Sequence, residues 1–417
     1  MLELGYWVFW FSLAACAYMA WNIGANDVAN AMGTVVGSKA VSFRKAVLLA
    51  AIFEFAGAFL VGGHVTNTVR KGIVSPTVFA DNPDIFVLGM LAALLAAGIW
   101  LHLATFMGLP VSTTHSIIGG VVGFGLLVGG VNAVKWGKLG SVVLSWIISP
   151  LFGGALAFLT FVFIKRTVLS SWDPVKAANR VVPMLLFPVI VILVLSMIFK
   201  GLKNLRLDIP LGQALLIAIA AGLMSSLIMR LFLMRKNATR PKKRREAFEQ
   251  AEGVFKHLQI ITACYIAFAH GANDVANAIG PFAAIVSVFN TGNVEMTVGV
   301  PVWVLALGGG FIVIGLATWG YKVIETIGKK ITFITPSRGF SAEFATATTV
   351  LVSSKMGLPV STSHTLVGAV IGVGLAKGMA ALNLTVIRNI INSWLITVPL
   401  VALITVIIFQ ILRFVAL

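Results

Sequence analysis

The chain has 417 residues, 59% of them hydrophobic and only 11% charged, with a net charge of +17 and a mean hydropathy of +0.98. Soluble proteins average about 25% charged residues, so this composition excludes a water-facing exterior and makes lipid the solvent. The positive charge does not point to nucleic acid: its densest run, Lys242 to Arg245, lies in a short polar stretch beside Glu246, Glu249 and Glu252, and no second soluble domain is present to hold a duplex. Cys16 and Cys264 sit inside apolar stretches and read as small buried hydrophobes, not as a disulfide or metal site.

About twelve apolar segments follow one another, several near the roughly 20 residues that a spanning helix needs. They lie at 6–30, 43–63, 85–107, 113–130, 139–164, 182–199 and 211–234, then at 257–285, 301–321, 341–356, 363–379 and 388–413. They run the length of the chain, so a removable signal peptide does not account for them. The expected class is an all-α integral membrane protein. If the polar linker 235–256 is cytoplasmic, alternate crossings put 21 Lys and Arg residues on that side and 8 on the other. The positive-inside rule then places both termini outside a cell membrane.

Two motifs recur. Gly24-Ala-Asn-Asp-Val-Ala-Asn-Ala31 returns unchanged as Gly271 to Ala278, and Gly108-Leu-Pro-Val-Ser-Thr-Thr-His115 returns as Gly357-Leu-Pro-Val-Ser-Thr-Ser-His364. The offsets are 247 and 249 positions. Apolar low complexity does not reproduce Asn, Asp, Pro, Ser and His in one order, so the chain is duplicated. An odd number of crossings separates equivalent points, which inverts the second copy. The expected organisation is a first repeat over 1–164, scaffold helices over 165–234, the linker 235–256, and an inverted repeat over 257–417. Such inverted halves are an architecture of secondary transporters.

Each motif has its own chemistry. On a helix, Asn26, Asp27 and Asn30 share one patch, as do Asn273, Asp274 and Asn277. Their small neighbours admit a second helix, and intramembrane carboxylates mark ion paths by default. Pro110 and Pro359 break apolar runs just before Ser112, Thr113 and Thr114, and before Ser361, Thr362 and Ser363. Two arms of roughly 16 residues are short for a 30 Å crossing, so re-entrant hairpins are expected, their helix N-termini offering free N–H groups to an anion. His115 and His364, one turn further on, read as structural. Glu54 and Glu343 are further carboxylates in apolar segments, open to two readings: members of a cation path, or partners in structural hydrogen bonding. No Walker-type loop, metal-ligand motif or catalytic triad appears, so an enzyme is not expected.

The paired motifs resemble those of the inorganic phosphate transporter (PiT) family of sodium- or proton-coupled phosphate symporters, over both halves of the chain. The resemblance implies phosphate as substrate and a homodimer as assembly; the short linker departs from the long insertion of many members. Phosphate would be held by Ser112, Thr113, Thr114, Ser361, Thr362 and Ser363 with Asn26 and Asn273. Phosphate and two aspartates sum to three or four negative charges against about one positive charge from two helix dipoles. Cations must make up the difference. Oxygen ligands suit hard ions, so sodium is expected at Asp27, Asn30, Asp274, Asn277, Asn26 and Asn273, with no other cofactor. Protons neutralising the aspartates, and a sulfate or other oxyanion as cargo, stay open at this stage.

Overall fold

The computed structural model describes every residue except 1–3, 72, 75, 202–208, 237–242, 296–298 and 356–359; the side chains of 28–30, 63–71, 76–77, 200–201, 236 and 354–355 also lie outside the description. The helices are α1 (Tyr6–Gly37), α2 (Phe43–Lys71), α3 (Pro83–Phe106), α4 (Thr113–Gly129), α5 (Trp136–Ile164), α6 (Pro174–Ser196) and α7 (Leu211–Lys236), followed by α8 (Arg244–Thr291), α9 (Val302–Trp319), the short α10 (Tyr321–Glu325), α11 (Pro336–Lys355), α12 (Thr362–Lys377) and α13 (Leu384–Ala416). Among the described residues nine helices are long and apolar enough to cross a membrane, and α4, α11 and α12 are not among them. The chain is an all-α membrane protein.

Each apolar segment became a helix, but hydropathy did not mark the helix ends. Asp173 caps α6 by accepting the Lys176 N–H, and Pro174 fills the first helical position, so the helix starts eight residues before its apolar run. Helix α8 runs 48 residues and takes in the polar residues from Arg244 onward, helped by the Arg245–Glu249 pair one turn apart. Glu252, expected among solvated charges, is instead buried: it accepts from the Ser337 N–H at 2.8 Å and the Ser337 hydroxyl at 2.7 Å. A carboxylate there complements the N-terminal dipole of α11.

The first hairpin turns through a defined cap. Gly108 (φ 67°) ends α3 with its own N–H on Thr105 O and the Leu109 N–H on Ala104 O, a left-handed closure that suits glycine. Arm α3 has 24 residues, longer than the roughly 16 expected, while α4 has 17. Ser112 then caps α4 by accepting the His115 N–H, and Ser361 caps α12 by accepting the His364 N–H.

Packing repeats when the two halves are exchanged. Helix α1 lies on α9 as α8 lies on α2; α4 lies on α13 as α12 lies on α5; α3 meets α13 as α11 meets α5. The glycine opening each Asn/Asp motif explains the closest crossings. A Cβ on Gly24 would stand 1.9 Å from Ile312 O, and one on Gly271 would stand 2.1 Å from Glu54 O. Both contacts are with backbone, so only glycine permits them. Helices α6 and α7 pack beside α8 through Val182, Leu186, Leu233 and Phe255. The outer faces stay apolar: Leu216, Leu223 and Leu227 on α7 and Leu395 and Ile407 on α13 are exposed, as a lipid-facing surface requires.

Candidate functional site

Helices α1 and α8 cross at their motifs, and the first hairpin tip and the N-terminal turn of α12 close on the crossing. Asn26 is fully buried and holds the first tip: its amide donates to Thr105 Oγ1 (2.9 Å) and Leu109 O (3.1 Å), and its Oδ1 accepts the Val111 N–H (3.1 Å). Both amide hydrogens are thereby committed, which leaves one lone pair on Oδ1 as a ligand for a cation. Trp394 donates to Pro110 O and Thr326 to Gly108 O, so four consecutive tip residues are fixed. Asn273 is half-buried. The side chain of Asn30 and the second tip at 356–359, including Pro359, lie outside the described residues.

Thr113, Thr114 and Ser363 bond across the halves, and Thr362 bonds within the second. Asn277 of α8 donates to Thr113 Oγ1 and Thr114 Oγ1 of the first hairpin at 3.1 and 3.2 Å, and to Asp274 Oδ1 at 3.2 Å. Ser363 of the second hairpin donates to Asp27 Oδ1 of α1 at 2.7 Å, and Thr362 donates to Asp274 Oδ2 at 3.4 Å. Thr113 and Thr114, as acceptors, keep their own hydroxyl protons, and so do Ser112 and Ser361 in their capping roles. In the first turns of α4 and α12 the N–H groups of Thr113, Thr114, Thr362 and Ser363 have no intrahelical acceptor. Six hydroxyls and two helix N-termini thus stand beside two buried carboxylates.

The sequence reading missed His270. It is fully buried, with Nε2 2.9 Å from Asp274 Oδ2 and 3.7 Å from Asp27 Oδ2, and Nδ1 3.2 Å from Glu54 Oε1. These are close contacts between ionisable groups, without the alignment of hydrogen bonds. Asp27, His270 and Asp274 offer ligand atoms within 4.8 Å of one another, a spacing that fits a cation. The signal was available: a His four residues before an aspartate on a helix faces it. The offset that relates the halves places Ile23 at the matching point of α1, so the imidazole is particular to the second half.

The two glutamates separate. Glu54 joins the aspartates through His270. Glu343 lies in a second buried cluster, where it accepts from Thr34 Oγ1, Gln259 Nε2 and the Thr262 hydroxyl. Gln259 precedes His270 by eleven residues, about 16 Å along α8. His115 and His364 meet edge to face with ring centroids 4.4 Å apart, each also 3.7 Å from an indole, Trp146 and Trp394 respectively. That four-ring stack seats the two hairpin helices against each other and against α5 and α13.

Residues 23–405 match the phosphate transporter family. A Pyrococcus abyssi protein provisionally named a phosphate permease is 50% identical, covering 94% of this chain and 95% of that one. The chloroplastic inorganic phosphate transporter 2-1 of Arabidopsis thaliana is 45% identical, covering 94% of this chain and 70% of its own. A solved structure of a sodium-dependent phosphate transporter superposes with a TM-score of 0.88 at 42% identity, covering 98% of this chain and 99% of that one. The fold, the duplicated motifs and these matches agree that the chain belongs to the phosphate transporter family of membrane transporters, which are not enzymes.

Proposed function

We propose that the chain takes up inorganic phosphate by sodium symport across the cell membrane, through two halves of opposite orientation (1–164 and 257–417) braced by the scaffold 165–234 and joined by 235–256. Both termini face outward, and the assembly is a homodimer as the family resemblance implies. Phosphate is held at the hairpin tips by Ser112, Thr113, Thr114, Ser361, Thr362 and Ser363, with Asn273 beside them. Sodium is held by Asp27 and Asp274 with the amide oxygens of Asn26, Asn30, Asn273 and Asn277. Glu54 stands behind them through His270, and Glu343 offers a separate carboxylate.

The observation that carries this reading is the sharing of protons between hydroxyls and carboxylates. Ser363 and Thr362 commit their hydroxyl protons to Asp27 and Asp274. A cation that takes those oxygens frees the protons for an oxyanion, and it also cancels charge that would repel the oxyanion. Without it, a phosphate beside two buried carboxylates faces repulsion that two helix dipoles, about half a charge each, do not offset. Binding of either ion therefore favours the other, which is the thermodynamic requirement for coupling.

A second reading has its own observation. His270, between Glu54 and two aspartates, is placed to accept and release a proton, so proton-coupled phosphate symport is the rival. Purified protein in liposomes, given labelled phosphate outside under imposed sodium or proton gradients, separates the two. Uptake that follows the sodium gradient at fixed pH supports sodium symport; uptake that follows only the proton gradient supports the rival. Preferential sulfate uptake removes phosphate as cargo.

A further inference from the structure

Four lysines converge on one open cleft of about 650 Å³ on the face of the molecule that carries the linker: Lys39 from the turn between α1 and α2, Lys45 from the first turn of α2, Lys256 from α8, and Lys329 from the π-helical turn Thr326–Lys330. Val36 and Phe43 form part of its wall, and among the described residues no Asp or Glu lines it. None of the four has a carboxylate within ion-pair distance among the described residues; the acidic groups nearby pair elsewhere, Glu325 with Lys330 and Glu252 with Ser337. The positive-inside rule accounts for basic residues in cytoplasmic loops. It does not account for their convergence, from separate segments, on an acid-free concavity where they repel one another.

The backbone at Lys39 adds to this. Helix α1 ends with the Ala40 N–H on Val35 O and Lys39 in the left-handed region, φ 61°. Gly108, Gly130, Gly292 and Gly378 hold the other positive φ values at helix ends, and Lys39 is the one non-glycine residue with a positive φ among the described residues. Glycine takes this conformation without a Cβ clash, and lysine does not. The lysine is thus kept at a conformational cost, and its side chain lines the cleft.

We propose that this cleft binds a multiply charged phosphate group, carried either by a soluble oligophosphate or by an anionic lipid headgroup, as a site separate from the transport site. Such an anion joins the first half, through Lys39 and Lys45, to the end of the linker, through Lys256, and to the second half, through Lys329. The neighbouring Ser38 donates to Gln259, and Gln259 donates to Glu343. The turn that the anion holds is therefore two hydrogen bonds from a buried carboxylate, and the bound anion restrains both halves.

The test uses full-length protein in nanodiscs without sodium, so that the transport site contributes little, with inorganic triphosphate titrated by calorimetry into discs of neutral lipid. Lys39→Gly, Lys256→Gln and Lys329→Gln should each weaken binding roughly fivefold at low ionic strength, and binding should fall as salt rises. Lys39→Gly should also raise the melting temperature, which separates lost charge from misfolding. Triphosphate binding in neutral discs that the variants weaken assigns the site to soluble oligophosphates. Absent triphosphate binding, with phosphatidic acid, whose phosphomonoester can carry two charges, retained by the wild type and lost from the variants in native mass spectrometry, assigns it to a headgroup. Neither result, or binding that all three variants leave unchanged, overturns the proposal. Sodium-dependent orthophosphate binding, measured in the same discs, reports on the transport site independently.

Discussion

Ser363 and Asp27 are 336 positions apart and share a hydrogen bond of 2.7 Å, both buried, one on a hairpin and the other on the helix that it closes against. The hydroxyl proton that Asp27 takes is one that a bound oxyanion would also use. Ser363→Ala removes it from both. A hydrogen bond to a charged group is worth about 1.5–3 kcal/mol, so phosphate binding in saturating sodium should weaken on the order of ten- to a hundredfold. Isothermal titration of the variant measures this; wild-type phosphate affinity would detach the second tip from the site.

Asp27→Asn keeps the shape and an oxygen for Ser363 but removes the charge, and Asp274→Asn does the same for Thr362. Each should abolish most of the enhancement of phosphate binding by sodium. The comparison is phosphate affinity in sodium and in choline. If both variants keep the full sodium effect, these aspartates are not cation ligands.

Among the described residues, His270 is a basic side chain that stands against all three of Asp27, Asp274 and Glu54. Removing one partner of a buried charge cluster costs about 3–5 kcal/mol, so His270→Ala should lower the melting temperature well below that of the wild type. Sodium should restore more of it in the variant than it adds to the wild type, because the cation takes the place of the imidazole. Melting curves in sodium and in choline decide the matter; an equal sodium shift in both proteins would show that no cation reaches this cluster.

Gly24→Ala forces a Cβ against Ile312 O. Overpacking costs typically 1–3 kcal/mol, and backbone against backbone has no side chain to yield, so the variant should aggregate or melt early in size-exclusion assays. Gly310→Ala meets nothing within 4 Å and should melt at or above the wild-type temperature, since alanine favours the helix. Equal behaviour of the two variants would contradict the close crossing of α1 and α9.

Orientation has its own test. In a background lacking Cys16 and Cys264, a cysteine replacing Lys243 should be inaccessible to an impermeant thiol reagent outside intact cells and should react once the membrane is opened. Labelling from outside would reverse the placement of the termini.

Composition alone determined the solvent of this chain, because 11% charge cannot clothe a surface in water. The exact return of Asn, Asp, Pro and Ser at nearly one offset identified the residues to watch, since duplicated polar groups in apolar helices are expensive to keep. Helix ends were less legible: hydropathy reports where lipid lies, while Asp173 and the Arg245–Glu249 pair extend helices beyond it. Only the tertiary structure decided which groups meet. Sequence treated Glu54 and Glu343 alike, yet the crossing of α2 with α8 puts Glu54 on His270, while α11 carries Glu343 to Thr34, Gln259 and Thr262. His270 itself lay one residue outside the duplicated motif, where the repeat draws no attention. Side-chain partners across 336 positions depend on how helices pack, and packing is a property of surfaces in contact, which no local pattern contains.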